Sequence, residues 1–133
     1  ACAMRRCLEV LPSGDLLQIA IRSGTREEFS ELRHTGRLVA IERMAESLAA
    51  LRGRPLYLTV DLDWFDPAVM AGTGTPEPGG FLWKDFAVLV DELRHHQLVG
   101  ADVVELAPQL DPSGVSSVLA AKVVRSLLLL LGR

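Results

Sequence analysis

The sequence is poor in cysteine and in long apolar runs, and each shortage excludes a class of protein. Its 133 residues include two cysteines, Cys2 and Cys7, whose number and spacing suit neither a disulfide scaffold nor a Cys-x-x-Cys zinc or redox site. Free thiols fit a reducing cytoplasm. The leucine run at 127–131 is much shorter than the ~20 apolar residues of a membrane-spanning helix, so no membrane segment is predicted.

An excess of basic residues is also missing. The 14 Lys and Arg stand against 17 Asp and Glu, which gives a net charge of −3, and the arginines are interleaved with glutamates. A nucleic-acid partner is therefore not predicted, because surfaces that bind phosphate are basic. With 49% hydrophobic and 23% charged residues, the chain has the composition of a globular domain. No repeat or long linker divides it.

Short apolar segments alternate with stretches of helical periodicity. Strands are predicted at 16–21, 56–60 and 101–106, with a polar loop at 22–28 and a turn at Gly100. Helices are predicted from about 36 to 51, at 86–93 behind a cap at Asp85, and at about 113–131. This order is typical of an α/β fold with a parallel sheet, whose active residues collect in loops beyond the carboxyl ends of the strands.

Two aspartates end the second predicted strand. In extended backbone the side chains of Asp61 and Asp63 point to the same side, so their carboxylates converge and repel each other. A divalent cation would relieve the repulsion, and hard oxygen ligands suit manganese or magnesium. Two alternatives stay open. Asp61 could cap the loop while Asp63 is solvated, or residues 61–66 could begin a calcium loop, although the loop glycine and distal glutamate are missing.

A third acidic residue, Glu105, ends the third predicted strand. A carboxylate pairs well with a planar guanidinium, often through two parallel hydrogen bonds, so Glu105 is a candidate for binding such a cation. A structural ion pair with a nearby arginine is the alternative. Asp66 is expected to shape the loop before Pro67. The three histidines have no partner motif that indicates a ligand role: His34, His95 and His96.

The surroundings of these carboxylates resemble the late motifs of a known enzyme family. The matching segments are TVDLDWFDP at 59–67, GTGTP at 72–76 followed by two glycines at 79–80, and VVELAP at 103–108. In order and spacing they resemble the ureohydrolase family of agmatinases and arginases, and the resemblance covers nearly the whole chain. Ala71 departs from the pattern, since the family usually has proline there. The GTGTP and VVE segments disfavour a related metal-dependent deacetylase.

The resemblance implies a three-layer α/β/α fold around a parallel sheet, with residues 1–133 as the C-terminal part of a single catalytic domain. It implies a binuclear manganese centre with Asp61 and Asp63 among the ligands, nickel being an alternative metal. A guanidino substrate bound by Glu105 and Thr75 is expected to be hydrolysed to urea and an amine. Near Thr25 the chain lacks the acidic residue with which arginases bind the substrate α-amino group. Agmatine is therefore favoured, with guanidinobutyrate, arginine and guanidine left open.

The family's remaining metal ligands and its proton-transfer histidine belong to motifs that precede this segment, so no catalytic residue is assigned within 1–133. The chain begins at Ala1 and is expected to be part of a longer protein. By itself it is expected to be inactive, because metal affinity depends on ligand number and charge. The complete protein is expected to be a cytoplasmic homo-oligomer in polyamine biosynthesis. A non-catalytic remnant or interaction module that keeps the fold is the alternative.

Overall fold

The computed structural model describes residues 3–132, with the side chain of Ser13 excepted, so the thiol predicted at Cys2 lies outside the described residues. Cys7 is a free thiol, as predicted. The chain forms two compact units, residues 1–47 and 48–133. Within residues 3–132, no helix combines the length and the hydropathy that crossing a bilayer requires.

The first unit contains a short parallel strand pair. The elements of this part of the chain are α1 (Ala3–Cys7), β1 (Gln18–Ile19), α2 (Arg26–His34), β2 (Leu38–Val39) and α3 (Met44–Ala49), the last of which continues across the boundary. The two strands run in parallel, with Gln18 opposite Leu38. A capping box begins α2, because the Thr25 hydroxyl accepts a hydrogen bond from the Glu28 N–H and the Glu28 carboxylate accepts one from the Thr25 N–H.

Three predictions for this unit are wrong in extent. The strand predicted at 16–21 has only the two residues of β1, and the loop predicted at 22–28 already contains the start of α2. The helix predicted from about 36 begins only at Met44, since Leu38 and Val39 pair with β1 instead. Gly36 has a positive φ of 69° and ends the turn after α2. The helical spacing of the apolar residues therefore gave a wrong helix start, because short apolar segments fit a strand as well as a helix.

The second unit is built on a longer parallel strand pair. Its elements are β3 (Pro55–Asp61), α4 (Trp83–Leu93), β4 (Gln97–Val104) and α5 (Val115–Leu131). Both predicted helices are confirmed, although α4 begins at Trp83 and Asp85 lies inside it, where its carboxylate accepts a hydrogen bond from the Leu82 N–H at 2.8 Å. The core of this unit is apolar and is formed by side chains including Val60, Leu62, Phe65, Phe86, Leu93, Val123 and Leu127.

The prediction of a turn at Gly100 is wrong, because this glycine lies inside β4 opposite Tyr57. A Cβ atom at Gly100 would lie 2.8 Å from the Tyr57 ring, so the glycine leaves room for a neighbouring aromatic side chain. The strand begins four residues earlier than the predicted segment 101–106. Its amide and carbonyl groups pair with β3 along the whole of that strand.

The register of β3 and β4 determines where the functional residues lie. Pairing runs from Pro55 opposite Gln97 to Asp61 opposite Val104, with one irregularity near Leu56. Because the strands are parallel and end together, the loops that follow them leave from the same edge. The predicted α/β class with parallel strands is thus confirmed, and residues 61–80 and 105–114 begin side by side.

Candidate metal and substrate site

Asp61 and Asp63 lie at the carboxyl end of β3. Their carboxylates come together for a different reason from the extended backbone predicted from the sequence. The backbone does not stay extended. It enters a 3₁₀ turn, Leu62–Trp64, directly after Asp61. The Asp61 carboxylate caps this turn by accepting a hydrogen bond from the Asp63 N–H at 3.1 Å. The two carboxylates are therefore neighbours because of a local turn and not because of strand alternation.

The ionisation of Asp61 is opposed by its surroundings. Its pKa is raised to about 6. Burial is the largest cause, and the negative charges of Asp63 and Glu105 also raise the pKa, while the hydrogen bond from the Asp63 N–H lowers it. A carboxylate with this environment is stabilised when a cation arrives. Asp63 and Glu105 are both near enough to Asp61 for their charges to act on it.

Glu105 follows β4 directly and belongs to the same edge. Its preceding residue Val104 pairs with Asp61, so Glu105 is the first residue beyond the end of the shared register. Its φ of 67° is positive, which is rare for a residue other than glycine and is found preferentially at functional sites. Among residues 3–132, none of the ion pairs found involves Glu105, so the alternative of a structural arginine pair has no support there.

Thr75 reaches the same group of side chains from the loop after β3. Its hydroxyl donates a hydrogen bond to the Asp63 carboxylate at 3.0 Å, across 12 residues of chain. Of the alternative, the cap formed by Asp61 is confirmed, whereas the Asp63 side chain is half-buried and hydrogen-bonded and not fully solvated. The loop that follows β3 therefore folds back, so that Thr75 lies beside the end of β3.

Asp66 organises the loop, as predicted. Its carboxylate accepts hydrogen bonds from the backbone N–H groups of Ala68 at 2.9 Å and of Gly79 and Gly80 at 3.0 Å each. Gly80 packs tightly against the backbone, because a Cβ atom there would lie 2.4 Å from the Asp66 nitrogen. Three accepted hydrogen bonds leave Asp66 a structural role in closing the loop.

A buried aspartate, Asp111, was not predicted. Its carboxylate accepts hydrogen bonds from the Ser113 hydroxyl and N–H and from the Ser116 N–H at 2.8 Å. The side-chain bond from Ser113, followed by those from Ser116, holds the pKa of Asp111 well below its usual range. An aspartate followed by proline and serine just before a helix was the available signal, since such residues hydrogen-bond the backbone ahead of them.

Ser116 was also missed, and it connects the two loops. Its buried hydroxyl oxygen accepts a hydrogen bond from the Gly72 N–H at 2.8 Å, and the Gly72 carbonyl accepts one from the Ala107 N–H at 2.8 Å. A serine one residue into a helix has no distinctive sequence signature. Its partner lies 44 residues away and is known only from the fold.

The oxygen ligands at this edge fit a divalent metal in part. Asp61 and Asp63 provide hard oxygen ligands with an excess of negative charge, which suits such an ion. Residues 3–132 contain no group of three or more His, Cys, Asp and Glu side chains that could hold a metal. His34 and His95 are exposed, and the nearest acidic contact of the buried His96 is Glu92 at 3.8 Å. The described residues thus fit part of a metal site.

Comparison with known proteins gives a consistent result. The family model of the arginase family matches residues 1–130. Among curated proteins, the agmatinase of Halalkalibacterium halodurans is 37% identical over 132 residues, which cover 95% of this chain and 46% of that protein. The guanidinopropionase of Pseudomonas aeruginosa is 40% identical over 114 residues, covering 86% of this chain and 34% of that protein.

Solved structures agree with these matches. A crystal structure described as an agmatinase from Clostridium difficile has a TM-score of 0.89 and 35% identity, covering 96% of this chain and 49% of that one. The arginase of Bacillus caldovelox has a TM-score of 0.73 and 26% identity, covering 86% of this chain and 42% of that one. This chain spans about half the length of the relatives that it matches, such as 46% of the first agmatinase. It belongs to the arginase family and has the arginase-like α/β fold.

Proposed function

We propose that the complete protein hydrolyses a guanidino substrate, with agmatine as the preferred one, to urea and an amine. The single observation that carries the proposal is the position of Asp61, Asp63 and Glu105 at the carboxyl edge of β3 and β4, where the charges of Asp63 and Glu105 act on Asp61. Such a concentration of negative charge suits a site for metal cations and a cationic substrate. The names of the matched relatives, agmatinase and guanidinopropionase, support the same substrate class.

Asp61 and Asp63 are proposed to ligate metal, with two manganese ions in the complete site and the other ligands supplied by the rest of the protein. The choice of ligands follows from their chemistry, because like-charged oxygen donors that repel each other are stabilised by a hard divalent cation. When bound, the metal pair would supply the Lewis acidity that generates a nucleophilic water at neutral pH. The chain by itself is proposed to be inactive, since two carboxylates hold metal weakly.

Glu105 and Thr75 are proposed to bind the substrate. A planar guanidinium with several N–H donors is held well by a carboxylate, and Glu105 is exposed and follows the strand that pairs with Asp61. The Thr75 hydroxyl donates a hydrogen bond to Asp63, so its oxygen remains free to accept a hydrogen bond from a substrate N–H. Hydrolysis adds water across the guanidinium carbon and yields neutral urea and a protonated amine.

The proposal is tested by measuring urea release from the complete protein loaded with manganese. Agmatine, arginine, guanidinobutyrate, guanidinopropionate and guanidine are compared, and agmatine is expected to give the highest kcat/KM. Glu105→Gln is expected to lower kcat/KM by roughly 100-fold or more, because a charged hydrogen-bonding pair is lost. Glu46→Gln is the matched control, since Glu46 is an exposed glutamate paired with Arg43.

Each outcome of this screen has a defined meaning. Urea release that Glu105→Gln reduces and Glu46→Gln preserves supports the proposal. No urea from any of the five substrates, with manganese bound, contradicts it and favours the non-catalytic alternative. A cytoplasmic location, a homo-oligomeric state and a place in polyamine biosynthesis remain parts of the proposal, and fractionation and sedimentation test the first two.

A further inference from the structure

Two loops carry the proposed site and are joined at Gly72, and the buried Ser116 side chain fixes Gly72 to α5. We propose that Ser116 is a positioning residue that acts through Gly72 to hold Glu105 in the orientation that binds the guanidinium group. This inference rests on the proposed function. Ser116 is only 1% exposed, and it lies at the second position of α5.

The connection is a short series of hydrogen bonds. The Ser116 hydroxyl oxygen accepts from the Gly72 N–H at 2.8 Å, which fixes the loop after β3 to the start of α5. The carbonyl of the same Gly72 accepts from the Ala107 N–H at 2.8 Å, which fixes the loop after β4. Ala107 is only two residues beyond Glu105. One peptide segment at Gly72 therefore joins the helix to the backbone that carries Glu105.

Glu105 needs such a restraint because of its backbone conformation. Its φ of 67° lies in the left-handed region, which a glutamate leaves unless the surrounding structure holds it there. Val104 is held on one side by the pairing with β3. The Ala107–Gly72 hydrogen bond holds the other side. If the second restraint is loosened, the chain after Val104 can relax toward an ordinary conformation and the carboxylate turns away.

Tight packing around Gly72 makes the connection rigid. A Cβ atom on Gly72 would lie 2.8 Å from the Ser116 Cβ and 3.2 Å from the Asp111 Cβ, so both side chains already pack closely against Gly72. Ser116 is itself held, because its N–H donates to the Asp111 carboxylate at 2.8 Å. The hydroxyl therefore projects from a fixed point, and Gly72 has little space in which to shift.

The same helix offers a matched control. The Ser126 hydroxyl donates a hydrogen bond to the Lys122 carbonyl at 3.0 Å, one turn back in α5. This bond is local to the helix and reaches neither loop. Ser116→Ala and Ser126→Ala therefore each remove one serine hydroxyl from α5. Only Ser116→Ala removes a hydrogen bond to a loop of the proposed site.

The test uses the complete protein with manganese and agmatine. Ser116→Ala is expected to raise KM by roughly 10- to 100-fold with kcat changed less, because Glu105 binds the guanidinium group before and during the reaction. Bound manganese per subunit is expected to be unchanged. Amide hydrogen exchange is expected to become faster in peptides that cover 66–80 and 103–110. Ser126→Ala is expected to leave KM and exchange in both peptides unchanged.

A second variant keeps the test decisive if Ser116→Ala folds poorly. Ser116→Cys preserves the shape of the side chain and replaces the hydroxyl with a weak acceptor, so the same shift in KM is expected. Wild-type KM and exchange in both Ser116 variants would overturn the role of Ser116, while urea release by the unmodified protein would leave the proposed function standing. If the unmodified protein releases no urea from any guanidino substrate, both proposals fail together.

Discussion

Asp61 is the last residue of β3 and Asp111 lies in the loop that follows β4, and their surroundings are opposite. The Asp111 carboxylate accepts three hydrogen bonds from Ser113 and Ser116, which hold its pKa well below the usual range. The Asp61 carboxylate accepts one N–H, and partial burial, followed by the charges of Asp63 and Glu105, raises its pKa to about 6. Several donors stabilise a structural carboxylate, whereas burial and like charges leave a carboxylate in need of a cation.

The largest expected effect is on the proposed metal ligands. In the complete protein, Asp63→Asn is expected to weaken manganese binding and urea release by at least about 100-fold, because a charged metal ligand is lost. Metal titration by calorimetry and a urea assay measure the two effects. Asp91→Asn is the control, since Asp91 is 79% exposed and pairs only with Arg94 in its own helix. Normal metal binding by Asp63→Asn would show that Asp63 is not a ligand.

The next largest effect is expected where Asp66 closes the loop. Gly80→Ala places a Cβ atom 2.4 Å from the Asp66 nitrogen, so the backbone must move and the N–H of residue 80 leaves the Asp66 carboxylate. Unfolding in urea is expected to show a loss of roughly 2–3 kcal/mol. Gly74→Ala is the matched control, because nothing lies within 4 Å of its Cβ position. Equal stability of the two variants would mean that the close packing at Gly80 is not required.

A smaller effect on stability is expected at Asp111, and it depends on pH. Asp111→Asn is expected to lower the urea midpoint near pH 7, because the amide is a poorer acceptor for the donors of Ser113 and Ser116. A lowered folded-state pKa contributes stability above the unfolded pKa of about 4, and this contribution is lost as the pH falls. The difference from the unmodified protein should therefore shrink below pH 4. A difference that is independent of pH would contradict the assignment.

The same contrast explains what could be predicted from the sequence. Apolar spacing predicted the parallel strands and the helices α4 and α5. The positions of strand ends and the motifs at 59–67 and 103–108 indicated the three acidic residues. The convergence of Asp61 and Asp63 was predicted for the wrong reason, since the 3₁₀ turn at Leu62–Trp64 was not recognised. An Asp-x-Asp pair at a strand end has the same appearance in extended and in turned backbone.

The parts that the sequence did not predict depend on long-range or ambiguous contacts. The hydroxyl of Ser116 bonds a backbone N–H 44 residues earlier, and no local pattern specifies such a partner. Leu38 and Val39 have the spacing of a helix, but pairing with β1 makes them a strand. In contrast, the start of α2 was predictable from the Thr25 and Glu28 capping box, which the loop interpretation overlooked.

The smallest expected effect is the change in stability caused by Asp61→Asn, and its sign should differ between the metal-free and the metal-bound protein. In the metal-free protein at pH 7.5, Asp61→Asn is expected to raise stability, because the neutral amide avoids the cost of partly burying a charge and the repulsion by Asp63 and Glu105. A shift from 3.8 to about 6 would correspond to about 3 kcal/mol without screening, and partial exposure reduces this to about 1 kcal/mol.

The sign follows from proton binding. Between pH 4 and pH 6 the folded protein binds the Asp61 proton more tightly than the unfolded chain does, so stability decreases as the pH rises through this range. The advantage of the Asn variant should therefore appear over that interval and vanish near pH 4. Saturating manganese should stabilise the unmodified protein and not the variant, which reverses their order. An Asn variant that is less stable in both states would show that Asp61 is a structural carboxylate like Asp111.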